Sequence, residues 1–162
     1  MFTIRVEDLH ATESQLLIDE LNTFLDGLYP PEDNFFDLPD TDVFLVARDA
    51  QGLALGCGAV RGLEPDELGD AATEHRTGEI KRMYVRPHAR RSGVARGMLI
   101  RLEEEAWRLG FGRLVLETGI RQPEAIHMYE THGYVEIPLF GQYVTSGTSV
   151  CYQKFLTGYF LY

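Results

Sequence analysis

The sequence predicts an α/β domain with a mixed sheet and one βαβ crossover. Three observations predict it. Apolar residues alternate with period two, or run in short β-rich blocks, at seven places, and recur every three to four residues at three others. The resulting order is β-α-β-β-β-α-β-α-β-β, in which one helix links two strands able to lie parallel. Finally, 162 residues with 44% apolar and 11% aromatic side chains suffice for one core, so residues 1–162 read as a single domain.

Taken in order, Phe2, Ile4 and Val6 alternate with Thr3, Arg5 and Glu7, which marks a half-buried strand. Thr12 offers an N-cap, and Leu17, Leu21, Leu25 and Leu28 carry a helix that Pro30 and Pro31 end. The stretch DNFFDL reads as a short helical turn. Residues 43–62, two apolar runs around Asp-Ala-Gln-Gly, form a β-hairpin. The acidic LEPDELGDAATEHR that follows has the composition of a mobile loop. A strand at 79–85 leads through RPHARRSG into a helix over about 93–109. Its apolar face is Val94, Met98, Leu99, Leu102, Ala106 and Leu109, and Arg101 with Glu105 and Glu104 with Arg108 are i,i+4 pairs on the others. RLVLET is a short buried strand, PEAIHMYETHG a helix opened by Pro and closed by Gly, and YVEI and SVCYQKFL are the last strands.

Charge is distributed unevenly. The chain carries 25 acidic and 15 basic side chains, net −10, yet Lys81, Arg82, Arg86, Arg90, Arg91 and Arg96 place six positive charges and no negative ones within residues 81–96. Net charge and a pI near 4.9 oppose a nucleic-acid partner. No apolar run approaches the roughly 20 residues that span a bilayer, and MFTIRVEDLH lacks the basic head and apolar block of a signal peptide. A soluble, cytoplasmic protein without a membrane partner is expected. Cys57 and Cys151, each in an apolar strand, are expected as buried thiols, and no metal site is expected.

The basic stretch suits an anion. At a helix start near Gly93 the first backbone N–H groups lack intrahelical partners and the macrodipole adds roughly half a positive charge. Gly93 lets a phosphate approach the backbone, and the arginines beside it supply charge. A Walker loop is excluded, because Gly93 is followed at 97–99 by Gly-Met-Leu and by no Gly-Lys-Ser/Thr; a dinucleotide loop is excluded, because only Gly93 and Gly97 are present. A solvated basic face offsetting the acidic remainder is the alternative on charge alone.

RRSGVA, residues 90–95, resembles the Arg/Gln-x-x-Gly-x-Gly/Ala signature of the GCN5-related N-acetyltransferase (GNAT) superfamily, which also lies between a strand and a helix. AIHMYETHGY, residues 125–134, resembles that family's later Ala-Ile-x-x-Tyr-x-x-x-Gly-Tyr/Phe pattern. Two motifs in order, about 30 residues apart with a strand between, are more specific than either alone. The resemblance covers 43–137 closely and the first 40 residues by element order only. TGIRQPEAIHMYETHGY and IPLFGQY are similar to a bacterial branch acting on small substrates. The fold so implied is a mixed, mostly antiparallel central sheet flanked by helices, its βαβ crossover forming the acyl-CoA site.

The resemblance implies acetyl-CoA as cosubstrate. Its pantetheine arm would pair with the backbone of Met83, Tyr84 and Val85, and its pyrophosphate would lie on Arg90, Arg91, Ser92, Gly93, Val94, Ala95 and Arg96. Many relatives have Asn where this chain has Gln122, so that pantetheine contact is kept with a longer arm or lost. Acetyl transfer would be direct, in a ternary complex. An alkylammonium of pKa near 10 is neutral about once in a thousand molecules at pH 7, so a base is needed, and the leaving thiolate benefits from a donor. Tyr129, at the motif's tyrosine, is the implied donor; Glu79, where the histone-acetylating branch carries its glutamate, is the implied base. His75, His88, His127 and His132 are weaker candidates.

The implied activity is acetyl-CoA-dependent N-acetylation of a small primary amine, a cationic one being favoured by the acidic remainder. Protein or peptide N-acetylation and a non-catalytic acyl-CoA-binding domain are the alternatives. Residues 12–40 and 63–76 lie where the family builds its acceptor pocket and carry no motif, which leaves the acceptor open. The tail GYFLY would make a homodimer contact or cap the core.

Overall fold

The computed structural model describes residues 1–33 and 40–156. Nearly all of DNFFDL and all of GYFLY lie outside the described residues. Among the described residues seven strands form one sheet: β1 (Phe2–Val6), β2 (Val43–Asp49), β3 (Ala54–Leu63), β4 (Thr77–Val85), β5 (Arg113–Gly119), β6 (Val135–Ile137) and β7 (Ser149–Phe155). The spatial order is β1-β2-β3-β4-β5-β7-β6. Every neighbouring pair is antiparallel except β4 and β5, which are parallel and joined by α3 (Val94–Arg108). The expected order and the expected crossover are both present.

Period-two alternation assigns the faces. From β2, Phe44 and Val46 meet Leu17, Ile18 and Leu21 of α1 (Thr12–Asp26). The alternate residues Val43, Leu45 and Ala47 turn to the opposite face, where Met98, Leu99, Leu102 and Ala106 of α3 and Tyr129 of α4 (Pro123–Thr131) pack. A smaller cluster of Leu68, Val115, Phe140, Tyr143 and Cys151 closes the α1 side at the β5–β7 end.

Four local expectations are corrected. The acidic connection is ordered: Glu64 and Glu67 form a capping box on α2 (Pro65–Leu68), and Arg61 donates to Glu67 at 2.5 Å. The buried Arg113 guanidinium also donates to the Ala71 carbonyl at 2.7 Å. The reciprocal Glu-x-x-Glu cap, not the acidic composition, decides the conformation. Thr12 lies inside α1; Ala11 is its N-cap and makes no side-chain cap. Arg108 pairs with Glu105 at 2.8 Å rather than with Glu104. Leu109 is the exposed C-cap of α3, and buried Glu103 takes a core position on that helix, paired with Lys154 Nζ at 2.7 Å.

One irregularity places the site. Cys57 faces Tyr84 but Ala59 faces Lys81, so Arg82 and Met83 of β4 together oppose Gly58, and Arg82 has φ of +59°. This is a β-bulge, which bends the strand that carries it. The parallel ladder to β5 stops at the pair Ile80 and Leu116, although β4 continues to Val85 and β5 to Gly119. Beyond that pair the strands diverge, and among the described residues no strand lies beside the β5-facing edge of 81–85. Among the described residues no helix is long and apolar enough to cross a membrane, and no cluster of three or more His, Cys, Asp or Glu is arranged for a metal.

Candidate active site

A cavity of about 670 Å³ fills the gap between the diverging strands. Met83, Tyr84 and Val85 line it from β4, Arg90, Arg91, Gly93, Val94, Ala95 and Arg96 from the loop and first turn of α3, Gln122 from the N-cap of α4 and Tyr129 from α4 itself. Eleven of the thirteen residues singled out from sequence therefore share one cavity. The other two, Ser92 and Glu79, do not line it.

The loop is shaped for an anion by its backbone. Arg91 and Gly93 have φ of +62° and +87°, left-handed values that turn the chain sharply into α3. The first bond inside the helix runs from Gly97 N–H to Gly93 carbonyl at 2.9 Å, so the N–H groups of Val94, Ala95 and Arg96 precede any intrahelical partner. No side chain caps them. A Cβ on Gly93 would meet nothing within 4 Å, so the glycine is required by its φ and the space above it is open. Ser92 donates its hydroxyl to the Ala89 carbonyl and holds the turn.

The six basic residues separate by role. Arg91 and Arg96 are exposed beside the free N–H groups. Arg90 donates to the Val85 carbonyl at 3.0 Å and lies over the Phe24 ring. Arg86 grips Glu20 of α1 with contacts of 2.7–3.2 Å and donates to the Ala54 carbonyl at 2.9 Å, which docks α1 on the sheet. Lys81 stands 3.9 Å from Glu79. Arg82 is buried within the bulge.

Tyr129 is 5% exposed, with its ring edge-on to Tyr134 at 5.7 Å. Burial, and secondarily the Glu117 carboxylate, push its phenol well above the ordinary tyrosine range. Glu79 is 2% exposed; Oε2 accepts the Tyr143 hydroxyl at 2.6 Å. It lines a second cavity of about 860 Å³ beneath α2, and Lys81 and Tyr143 border both cavities. His75 stacks edge-on against Phe155, His132 Nδ1–H donates to the Met128 carbonyl, and His88 and His127 are exposed; none of the four lines the first cavity. Cys57 and Cys151 are buried and free, their thiols pushed up to about 12 by desolvation.

Sequence reasoning missed the far wall. Glu117 lines the first cavity at the point where β5 leaves β4, and its Oε2 accepts the Ser149 hydroxyl at 2.5 Å. Burial raises its pKa despite that bond. An ionisable side chain in the apolar strand RLVLET was the available signal. Tyr29 packs flat on Gly119, where any Cβ would collide with the phenol, and accepts the Arg121 N–H at 3.2 Å. That contact fastens the segment after α1 to the end of β5.

The profile of the acetyltransferase (GNAT) family matches residues 8–134. The IAA acetyltransferase of Azospirillum brasilense is 38% identical over 143 residues, 85% of this chain and 87% of that protein. The uncharacterized N-acetyltransferase YsnE of Bacillus subtilis is 31% identical over 158 residues, 93% and 97% of the two chains. A Klebsiella pneumoniae crystal structure, named provisionally as an acyl-CoA N-acyltransferase, superposes with a TM-score of 0.78 at 32% identity, covering 96% of this chain and 98% of that one. Arabidopsis thaliana NAA60, solved with acetyl-CoA, shares the fold with a TM-score of 0.67 at 12% identity, covering 98% and 100%.

Proposed function

The chain belongs to the acetyltransferase (GNAT) family and is an N-acetyltransferase that draws on acetyl-CoA; from that premise we propose that it acetylates a small primary amine by direct transfer in a ternary complex. One observation carries the reading. The free edge of β4 beyond the bulge runs straight into a loop whose helix-start N–H groups and arginines face one cavity.

Those parts fit the cosubstrate. The backbone of 83–85, unpaired toward β5, would hold an extended amide-bearing arm as an added strand would. The N–H groups of 94–96 with Arg91 and Arg96 would hold its phosphates. Arg90 would have to release the Val85 carbonyl to join them. Gln122, whose amide reaches Thr118 at 3.4 Å, stands at the cavity edge with its longer arm. Bound there, the cosubstrate supplies an activated acetyl thioester. Tyr129 donates its proton to the departing sulfur, and burial keeps the phenol protonated until then.

The walls support the acceptor class. Glu117, Asp33 and Tyr29 border the cavity on the face away from Tyr129's helix, which favours a compact cation. The name of the Azospirillum relative also points to a small molecule.

Thermal denaturation with acetyl-CoA is the first test. At 100 times Kd, a ligand confined to the folded state adds roughly 2.7 kcal/mol of stability. No shift at millimolar acetyl-CoA would refute the assignment of the site. Thiol release across a panel of amines follows; turnover with peptides and none with small amines would transfer the activity to the peptide class.

A further inference from the structure

We infer that Glu117, rather than Glu79, is the carboxylate that receives the acceptor amine's proton. The inference rests on the acetyl-transfer reading above and assigns the base within it.

Three observations of position carry it. Glu117 is the first residue of β5 beyond the last pairing with β4, so it stands at the apex of the gap in which the acetyl group is transferred. It lines the same cavity as Tyr129, Met83 and Val85, whereas Glu79 lines the neighbouring one. The third observation is occupancy. Oε2 of Glu79 holds the Tyr143 hydroxyl at 2.6 Å, and Lys81 stands 3.9 Å from its Oε1. Glu117 has Ser149 on Oε2, while its Oε1 has no hydrogen-bond partner among the described residues. Ser149 thus orients Glu117 from β7 and leaves one oxygen for the ligand.

The surroundings make Glu117 a stronger base than a solvated carboxylate. Facing Glu117 are Glu79 and Lys81 from β4, Ser149 and Cys151 from β7, Tyr129 from α4, Tyr143 from the Gly141–Tyr143 turn, and Tyr29 and Asp33 from the segment after α1. Desolvation and the Glu79 charge raise the carboxyl's pKa, against Ser149 and Lys81, which lower it. A base whose pKa approaches the working pH is the efficient one.

The step balances as follows. The ammonium gives one proton to Glu117, and the freed nitrogen lone pair attacks the acetyl carbonyl carbon. A C–N bond forms and the C–S bond breaks. The sulfur takes the Tyr129 proton; the second proton that nitrogen sheds on becoming an amide returns to the Tyr129 oxygen through water. Glu117 then passes its proton to solvent, so each turnover yields an amide, a thiol and one released proton.

The test is the pH dependence of kcat/KM for Glu117→Gln, Glu117→Asp and Glu79→Gln, measured by thiol release with two amines of different pKa. Acetyl-CoA thermal shifts verify that each variant is folded and loaded. We expect wild type to show an acid limb at one pH for both amines. Glu117→Gln loses that limb with a fall of about 10²–10⁴-fold. Glu117→Asp and Glu79→Gln retain it. A limb that survives in Glu117→Gln and vanishes in Glu79→Gln overturns the inference alone. A folded wild type that binds acetyl-CoA and releases thiol with no amine overturns the acetyl-transfer reading and the inference with it.

Discussion

Tyr129 and Glu117 are opposite demands placed on one cavity. On the proposed reading the phenol must keep its proton until sulfur departs and the carboxylate must take one from the amine; burial raises both pKa values, which holds the proton on the phenol and makes the ionised carboxylate a stronger base. Tyr129→Phe removes the proposed donor and keeps the packing against Tyr134, so kcat should fall by about 10²-fold or more while calorimetric acetyl-CoA affinity stays within about twofold. Glu117 also bears on stability. Its folded pKa is raised above the unfolded value of about 4.3, so the folded state binds the proton more tightly, and stability falls as pH rises from that value through the folded pKa. Glu117→Gln escapes this cost. Relative to wild type its Tm should rise by a few degrees between pH 4 and pH 8. A difference independent of pH would show that desolvation of Glu117 has no weight in folding. Of these two residues, only the tyrosine was legible in the sequence, because it sits in a motif with fixed spacing. Glu117 showed in the sequence only as an ionisable residue near the end of an apolar strand; its place where β5 leaves β4 is a long-range fact, set by the end of the ladder.

At the scale of elements, the basic run 81–96 shows what a linear charge count conceals. Its members share a segment but point along a bulged strand, a 3₁₀ turn and a helix start, so they reach three environments. Arg86 is the structural one. Arg86→Ala removes the forked pairing with Glu20 and the bond to Ala54, and should cost about 1–2 kcal/mol in chemical denaturation. Arg108→Ala, whose side chain is 66% exposed, should stay within about 0.5 kcal/mol. Helices and strands were readable because hydrophobic period reports burial directly. Residues 63–76 were not, since the Glu64 and Glu67 cap acts together with contacts from Arg61 before the segment and Arg113 far after it. The bulge was equally silent in sequence, as nothing in Lys-Arg-Met-Tyr announces an arginine at positive φ.

For the whole molecule, a net charge of −10 would repel the polyanionic ligand that the proposed loop would attract, and the balance is set by distance. Screening shortens from about 10 Å at 0.1 M salt to about 3 Å at 1 M. Because Arg91 and Arg96 are exposed, their attraction is screened along with the repulsion from more distant acids. The nearer charges dominate, so acetyl-CoA Kd should rise several-fold between 0.05 and 0.5 M salt, and the rise should be smaller in Arg91→Ala/Arg96→Ala. An affinity that improves with salt would mean that the global field outweighs the loop.

The short ladder between β4 and β5 bears on how the protein responds to load. The sheet is two panels, β1 to β4 and β5 to β6, stitched by only four facing residue pairs from Thr77 and Arg113 to Ile80 and Leu116. Beyond the last stitch the panels stand open like a seam left unsewn. A ligand laid against β4 with its reacting end at Glu117 and Tyr129 bridges both panels. The cosubstrate, held as proposed, would then be a temporary rivet across the open end of that seam.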